Sequence, residues 1–228
     1  MIEDIEPKSP STVNLVRSSQ PWTKADSAAG FVLRYLVPVR RQLTDVLGST
    51  EAADGSLKVL LAHLVSVGFG EHRQGRLRDY LLRALRSAAR MRSGEGNGNG
   101  KLEANLETLT PESKSWVAYW RDGLLERAWR SLERYEHAHA DRPVYTVLTR
   151  STENPQATAG ILASMLQQDD PRQWDAARVE QLLPLARTML AQLIADEVAE
   201  TLENPTREDV KREIMQLGLG RAFVGMQV

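Results

Sequence analysis

The chain has 228 residues and a formal net charge of -1. That length suffices for one large domain or two small ones, each able to bury a core, and the near-neutral balance excludes a globally basic nucleic-acid binder, so any such binding must come from local patches. Cysteine is absent, which excludes disulfides, a thiolate metal site and a cysteine nucleophile. No apolar run approaches the roughly 20 residues of a membrane helix. The opening MIEDIEPKSPSTVNL is acidic and proline-containing, unlike the basic-then-apolar layout of a secretory signal. The expectation is a cytoplasmic protein with no membrane partner. Ala, Leu, Arg and Glu dominate, and all favour helices. Alternation at period two is confined to VYTVLT near Val144, so the chain reads as all-α with that stretch as its one candidate strand.

In chain order, the first 24 residues carry Pro7, Pro10, Pro21 and several serines and read as a loose arm. A helix is predicted from Asp26 to Val46, with Phe31, Tyr35 and Val39 at four-residue spacing and a kink at Pro38. Thr50 is the expected N-cap of the next helix, followed by an acidic first turn, Glu51 to Asp54. Its apolar set is Leu57, Leu60, Leu61, Leu64 and Val65, and it should stop before Gly68 and Gly70. RLRDYLLRALRSAARMR follows, from Arg76 to Arg92. Leu77, Leu81, Leu85 and Ala88 share one helical face, and Arg83, Arg86 and Arg90 share the opposite one. SGEGNGNG cannot hold a helix and reads as a flexible linker.

The second half opens on LTPES, where Thr110 can cap and Pro111 suits the first helical position. Trp116, Trp120, Leu124, Ala128 and Leu132 then recur at near four-residue intervals, with the tryptophans read as core. Asn154-Pro155 marks a turn. A short helix over Gln156 to Leu166 is followed by QQDDPRQ and a longer helix from Trp174 to about Leu202, interrupted at Pro184. Thr206 and Asp209 form a capping box for the last helix, and Gly218 is its expected stop. No internal repeat is present.

Two features bear on function. Between His72 and Arg92 there are seven arginines against one aspartate. Seven like charges are costly to crowd unless a polyanion or acidic partner screens them, and guanidinium forks suit phosphate. A solvated amphipathic helix is the plain alternative. The helix pair over Gln156 to Ala191 can form a helix-turn-helix, whose second member would enter a major groove. That member carries Arg178 and Arg187 against Asp175 and Glu180, so its net charge is zero. Catalysis and cofactors find no support. His137 and His139, two apart, point to nearly opposite sides of a helix and do not make a metal site. His63, between Leu61 and Leu64, reads as a partly buried core residue. The alternating glycines after Arg92 follow no strand, which argues against a phosphate-cradling loop.

Four stretches, in order, resemble bacterial extracytoplasmic-function (ECF) sigma factors, in particular a divergent branch with a C-terminal extension. GRLRDYLLRALRSAAR is similar to the promoter-contacting helix of the first sigma domain. LTPESKSWVAYWRDGLLERAWRSLERY is similar to the entry helix of the second. PQATAGILASML with WDAARVEQLLPLARTMLAQLIADEVAETL is similar to its helix-turn-helix and trailing helix, and ENPTREDVKREIMQLGL to the tail of that branch. Together they span most of Asp26 to Leu219. The resemblance implies two small helical domains joined by a Gly-rich linker: a region-two-like bundle over 25–92 and a region-four-like helix-turn-helix domain over 109–203. An arm over 1–24, the linker over 93–108 and a C-terminal helical extension over 204–228 complete the layout.

The resemblance also implies a transcription initiation factor without catalysis of its own, partnered by core RNA polymerase and promoter DNA, with an anti-sigma or other regulatory protein as a further partner class. The DNA-binding set would be Arg76, Arg78, Tyr80, Arg83, Arg86 and Arg90 in the first domain and Arg178 and Arg187 in the second, with the first set holding phosphates rather than reading bases. Asp54, Lys58 and His63 would face the polymerase. The chain departs from the family in three places. Leu57 and Lys58 stand where the polymerase-binding helix usually carries Gln-Glu, which reverses a charge. The promoter helix lacks the aromatics that trap flipped bases, keeping Tyr80 alone. The recognition helix is neutral. The rival reading is therefore a sigma-like protein-interaction module that no longer initiates transcription.

Overall fold

The computed structural model describes residues 12–17, 20–71, 74–93, 105–107 and 109–227, the side chains of 92 and 93 excepted. Among the described residues every regular element is helical, as the composition predicts. Pairing of extended backbone is confined to two isolated bridges, Thr12 with Gln227 and Arg76 with Leu202. His72, the glycine-rich stretch at 94–104 and most of the arm lie outside the described residues.

The helix predicted over Asp26 to Val46 is two helices, α1 (Ala28–Leu33) and α2 (Leu36–Leu47). Pro38 explains the break: it offers no N–H, and its ring would clash with the carbonyl of Arg34 four residues back. The chain resolves this by ending α1 and restarting, so that Pro38 falls in the first turn of α2, where a missing donor costs nothing. α3 runs Thr50–Val67, capped by the Ser49 hydroxyl, which accepts the Ala52 N–H at 3.3 Å; Thr50, the expected cap, is the first helical residue. Gly68 ends α3 at φ 69°, a left-handed value that favours glycine. α4 is Leu77–Ser93 and α5 is Lys114–Ala138. Pro111 lies in the turn before α5 rather than at its start, held by a Thr110 N–H to Ser113 Oγ bond of 2.6 Å.

VYTVLT is a helix, not a strand: α6 spans Val144–Glu153. Val144, Val147 and Leu148 are its buried residues, and that i, i+3, i+4 set outweighs the β-branched composition. α7 (Ala159–Asp169) is capped by Thr158. α8 (Ala176–Glu200) runs unbroken through Pro184, where an interruption was expected. Both Pro184 and Glu180, the residue whose carbonyl loses its donor, are exposed, so water can take that donor's place. α9 (Arg207–Gln216) has the predicted capping box, and Gly218 follows its end at φ 70°.

The chain divides into two compact units, and the division falls within α5 and α8. One comprises Ser18–Leu124 and Val198–Gly218 and contains α1 to α4 and α9. Its core joins Tyr35, stacked on Trp120 at 4.8 Å, to a cluster of Trp22, Phe69 and Tyr80 with ring centroids 4.9 to 5.4 Å apart. Trp22, at the end of the expected loose arm, is fully buried and donates its indole N–H to the Gly75 carbonyl at 3.1 Å. The other unit comprises Met1–Arg17, Leu125–Glu197 and Leu219–Val228 and contains α6 and α7. Its core includes Leu132, Val147, Val179 and Ile194. The Val13 N–H donates to the Gln227 carbonyl at 2.9 Å, tying the two ends of that unit together.

Candidate nucleic-acid interface

α4 carries the arginine row, and its burial pattern splits that row in two. Leu77, Leu81, Leu85 and Ala88 are buried, as their spacing predicts. A second stripe is buried beside them: Arg78, Leu82, Leu85 and Ala89, at i, i+4, i+7 and i+11. Arg78 therefore lies inside the unit, at 2% exposure, and not on a solvated face.

Its charge is met by Glu213 of α9. Arg78 Nε donates to Glu213 Oε1 at 2.6 Å and Nη1 donates to the Pro111 carbonyl at 2.5 Å. Arg76 joins the same network: Nε donates to Asp79 Oδ2 at 2.7 Å, and Nη1 reaches Gln216 Oε1 at 2.7 Å and Glu213 Oε2 at 3.3 Å. Asp79 and Glu213 together hold the Arg76 guanidinium above its usual range, against burial, which acts in the opposite sense. The start of α4 is fixed further by backbone, with the Leu77 N–H donating to the Thr201 carbonyl at 2.8 Å. The C-terminal extension thus contributes directly to the unit that holds the arginine helix.

The remaining members differ. Tyr80 is 8% exposed, and burial pushes its phenol above the usual value. It is a core aromatic between Trp22 and Phe69 rather than a surface for stacking bases. Arg86 is half-buried and donates to the Leu109 carbonyl. Arg83 and Arg90 are exposed on the outer side of α4. Of the arginines expected to stay wet, these two do so, while Arg76 and Arg78 are committed to carboxylates inside the unit.

Among the residues expected to face a polymerase, Asp54 is engaged by both donors of Arg40, at 2.6 and 2.9 Å, and that hydrogen bonding holds its carboxyl below the ordinary value. Lys58 is exposed. His63 is exposed too, contrary to the core position expected for it, because Leu60 and Leu64 supply the buried face of that turn. In the other unit, Arg178 is half-buried: it donates to the Gln173 carbonyl at 2.6 Å and lies 5.1 Å from the centre of the Trp174 ring. Arg187 is exposed on α8. The structure brings Arg76 and Arg78 together on Glu213, and Arg83 and Arg90 are exposed further along α4.

A groove of about 1420 Å³ lies between α3 and α4, a feature the sequence reading missed. Val59, Ala62, His63 and Ser66 line it from α3, and Tyr80, Arg83, Ala84, Ser87, Ala88 and Met91 from α4. Both sets are spaced i, i+3/i+4, i+7, so each follows one helical face. The signal available in the sequence was the run of small residues, Ala62, Ser66, Ala84, Ser87 and Ala88, on facing stripes. In comparison with known proteins, no family model matches the chain, and neither does any curated protein or solved structure.

Proposed function

We propose that the chain is a transcription factor of the ECF sigma type, which binds core RNA polymerase and promoter DNA and touches phosphates through Arg83 and Arg90. The observation that carries this reading is the exposed guanidinium pair on the outer face of α4, within the stretch that most resembles the promoter-contacting helix. Arginine there supplies affinity without sequence information. Arg76 and Arg78 keep a structural role in this reading, because moving them to DNA would strip Glu213 of its partners. The test is retention on promoter-like duplex DNA at increasing salt, together with co-purification with core polymerase. Replacing Arg83 or Arg90 with alanine should flatten the salt slope by about one unit each, uniformly across DNA sequences. Unchanged slopes in both variants would overturn the phosphate role.

A second reading has its own observation. Arg40 already occupies the Asp54 carboxylate, and the groove offers a protein-sized surface next to a thinned arginine row. A sigma-like interaction module would use that surface, and would pass through a DNA column at moderate salt.

A further inference from the structure

We propose that α8 carries a binding site for a short segment of a partner protein, of the pattern apolar-Asn-apolar-x-Arg, which Val13 to Arg17 of this chain fill in cis. The inference is independent of DNA binding. Its first support is the way one side chain holds backbone. Gln192 is 6% exposed, and its amide grips Asn14 from both ends: Oε1 accepts the Asn14 N–H and Nε2 donates to the Asn14 carbonyl, each at 2.8 Å. A neighbouring strand would offer the same pair of bonds. Gln227 extends the pairing by accepting the Val13 N–H at 2.9 Å. Were the segment to leave with nothing in its place, Gln192 Oε1 would lose that bond at a buried position. The site therefore favours an exchange of occupants over vacancy.

Its second support is the side-chain pattern. Val13 and Leu15 are 4% and 2% exposed, whereas Asn14 and Val16 face out. Asn14 Oδ1 accepts the Val16 N–H at 3.2 Å, and the turn so formed brings Arg17 to Asp196, one helical turn beyond Gln192. Arg17 Nη2 donates to Asp196 Oδ2 at 2.6 Å, and Gln192 Nε2 holds Oδ1 at 2.8 Å. Burial lifts the Asp196 carboxyl above its ordinary value against the pull of Arg17, and the charge of Glu197, itself engaged by Arg127 of α5, acts in the same sense as burial. The ion pair thus discriminates cation from anion more than it adds strength. Main-chain bonds for affinity, with buried alternate side chains and one charge for specificity, are how folded domains bind extended segments. Residues 12–17 form no helix and are tied to their unit at Gln192, Asp196 and Gln227, so a competing segment can replace them without unfolding the helix beneath.

The experiment inserts a protease site between Ser18 and Ser19 of the full chain and cuts the purified protein. Exchange of a labelled peptide of residues 1–18 is then followed by fluorescence anisotropy. The peptide should replace the cut segment. Leu15→Ser in the peptide should weaken it by about tenfold or more and Arg17→Glu by about tenfold, and Gln192→Ala in the chain should weaken every peptide. In the uncut chain the peptide competes with a tethered copy, so it is supplied in about millimolar excess. There it should raise hydrogen exchange at the Val13 and Asn14 amides and leave those of α8 protected. This uncut measurement decides the matter if cutting unfolds the unit. A cut segment that never exchanges, equal binding of the three peptides, or Val13 and Asn14 amides that ignore the peptide would overturn the proposal. So would an uncut chain that elutes as an arm-exchanged dimer, because a second copy would then be the occupant.

Discussion

Arg78 holds a full charge at 2% exposure because Glu213, equally buried, meets it at 2.6 Å. Burying two ions costs several kcal/mol each, and the pair survives through its extra hydrogen bonds to Pro111 and Gln216. Removing one partner strands the other. Glu213→Ala should therefore destabilise the unit by about 3–5 kcal/mol, whereas the joint change Arg78→Met with Glu213→Leu should cost far less. Chemical denaturation of the two variants separates these outcomes, and a mild effect in Glu213→Ala would show that the pair is wet in solution. A second ion pair sets an acid limit. The Arg172 side chain beside Asp170, helped by its own backbone N–H, lowers the Asp170 carboxyl from 3.8 to about 2. A carboxyl depressed by folding contributes stability above its unfolded value and loses it as pH falls through its folded one. Acid unfolding should accordingly have a component between about pH 4 and pH 2 that Asp170→Asn removes.

Among the elements, the helices whose signals are local were legible in the sequence. The Thr206–Asp209 capping box, the Gly68 and Gly218 stops and the buried face of α5 all follow from neighbouring residues, whereas on α3 only Leu57, Leu60 and Leu64 of the expected set are buried and Val65 is 75% exposed. Signals that depend on distant chain were not. Glu213 lies 135 residues from Arg78, so nothing near α4 tells a buried guanidinium from a wet one, although Leu82, Leu85 and Ala89 in register with Arg78 are a visible hint. VYTVLT misled because six residues are too few to tell alternation at period two from the i, i+3, i+4 set that the helix buries. The groove escaped notice because small residues signal an absence of contact. Gly123 makes the same point at the level of packing. In the middle of α5 an alanine would ordinarily stabilise by about 1 kcal/mol. A Cβ on Gly123, however, would stand 3.0 Å from Pro38 Cγ and 3.3 Å from its Cδ, on a ring that cannot rotate away. Gly160, in the first turn of α7, meets nothing within 4 Å. Thermal denaturation should show Gly160→Ala raising the midpoint and Gly123→Ala lowering it. A gain at Gly123 would mean that α5 shifts away from Pro38 at little cost.

For the whole molecule, each compact unit is assembled from separated stretches of chain. The unit that contains α4 takes residues up to Leu124 and then a second piece, Val198–Gly218, which supplies far more than a surface decoration. Val210, Ile214 and Leu217 are buried, Glu213 neutralises Arg78, and Thr201 accepts the first N–H of α4. A fragment ending at residue 92, which the sequence alone suggests as a self-standing bundle, would leave Arg78 without its carboxylate and Tyr35 without Trp120. Expressed alone, residues 25–92 should keep helical content yet unfold without a cooperative transition. Adding residues 93–124 restores the aromatic stack but still strands Arg78. Cooperativity should return only when Val198–Gly218 is joined, for example through a short glycine-serine connector after Leu124. A sharp, two-state melt from residues 25–92 would contradict this, because it would require the bundle to tolerate an unpaired guanidinium in its interior.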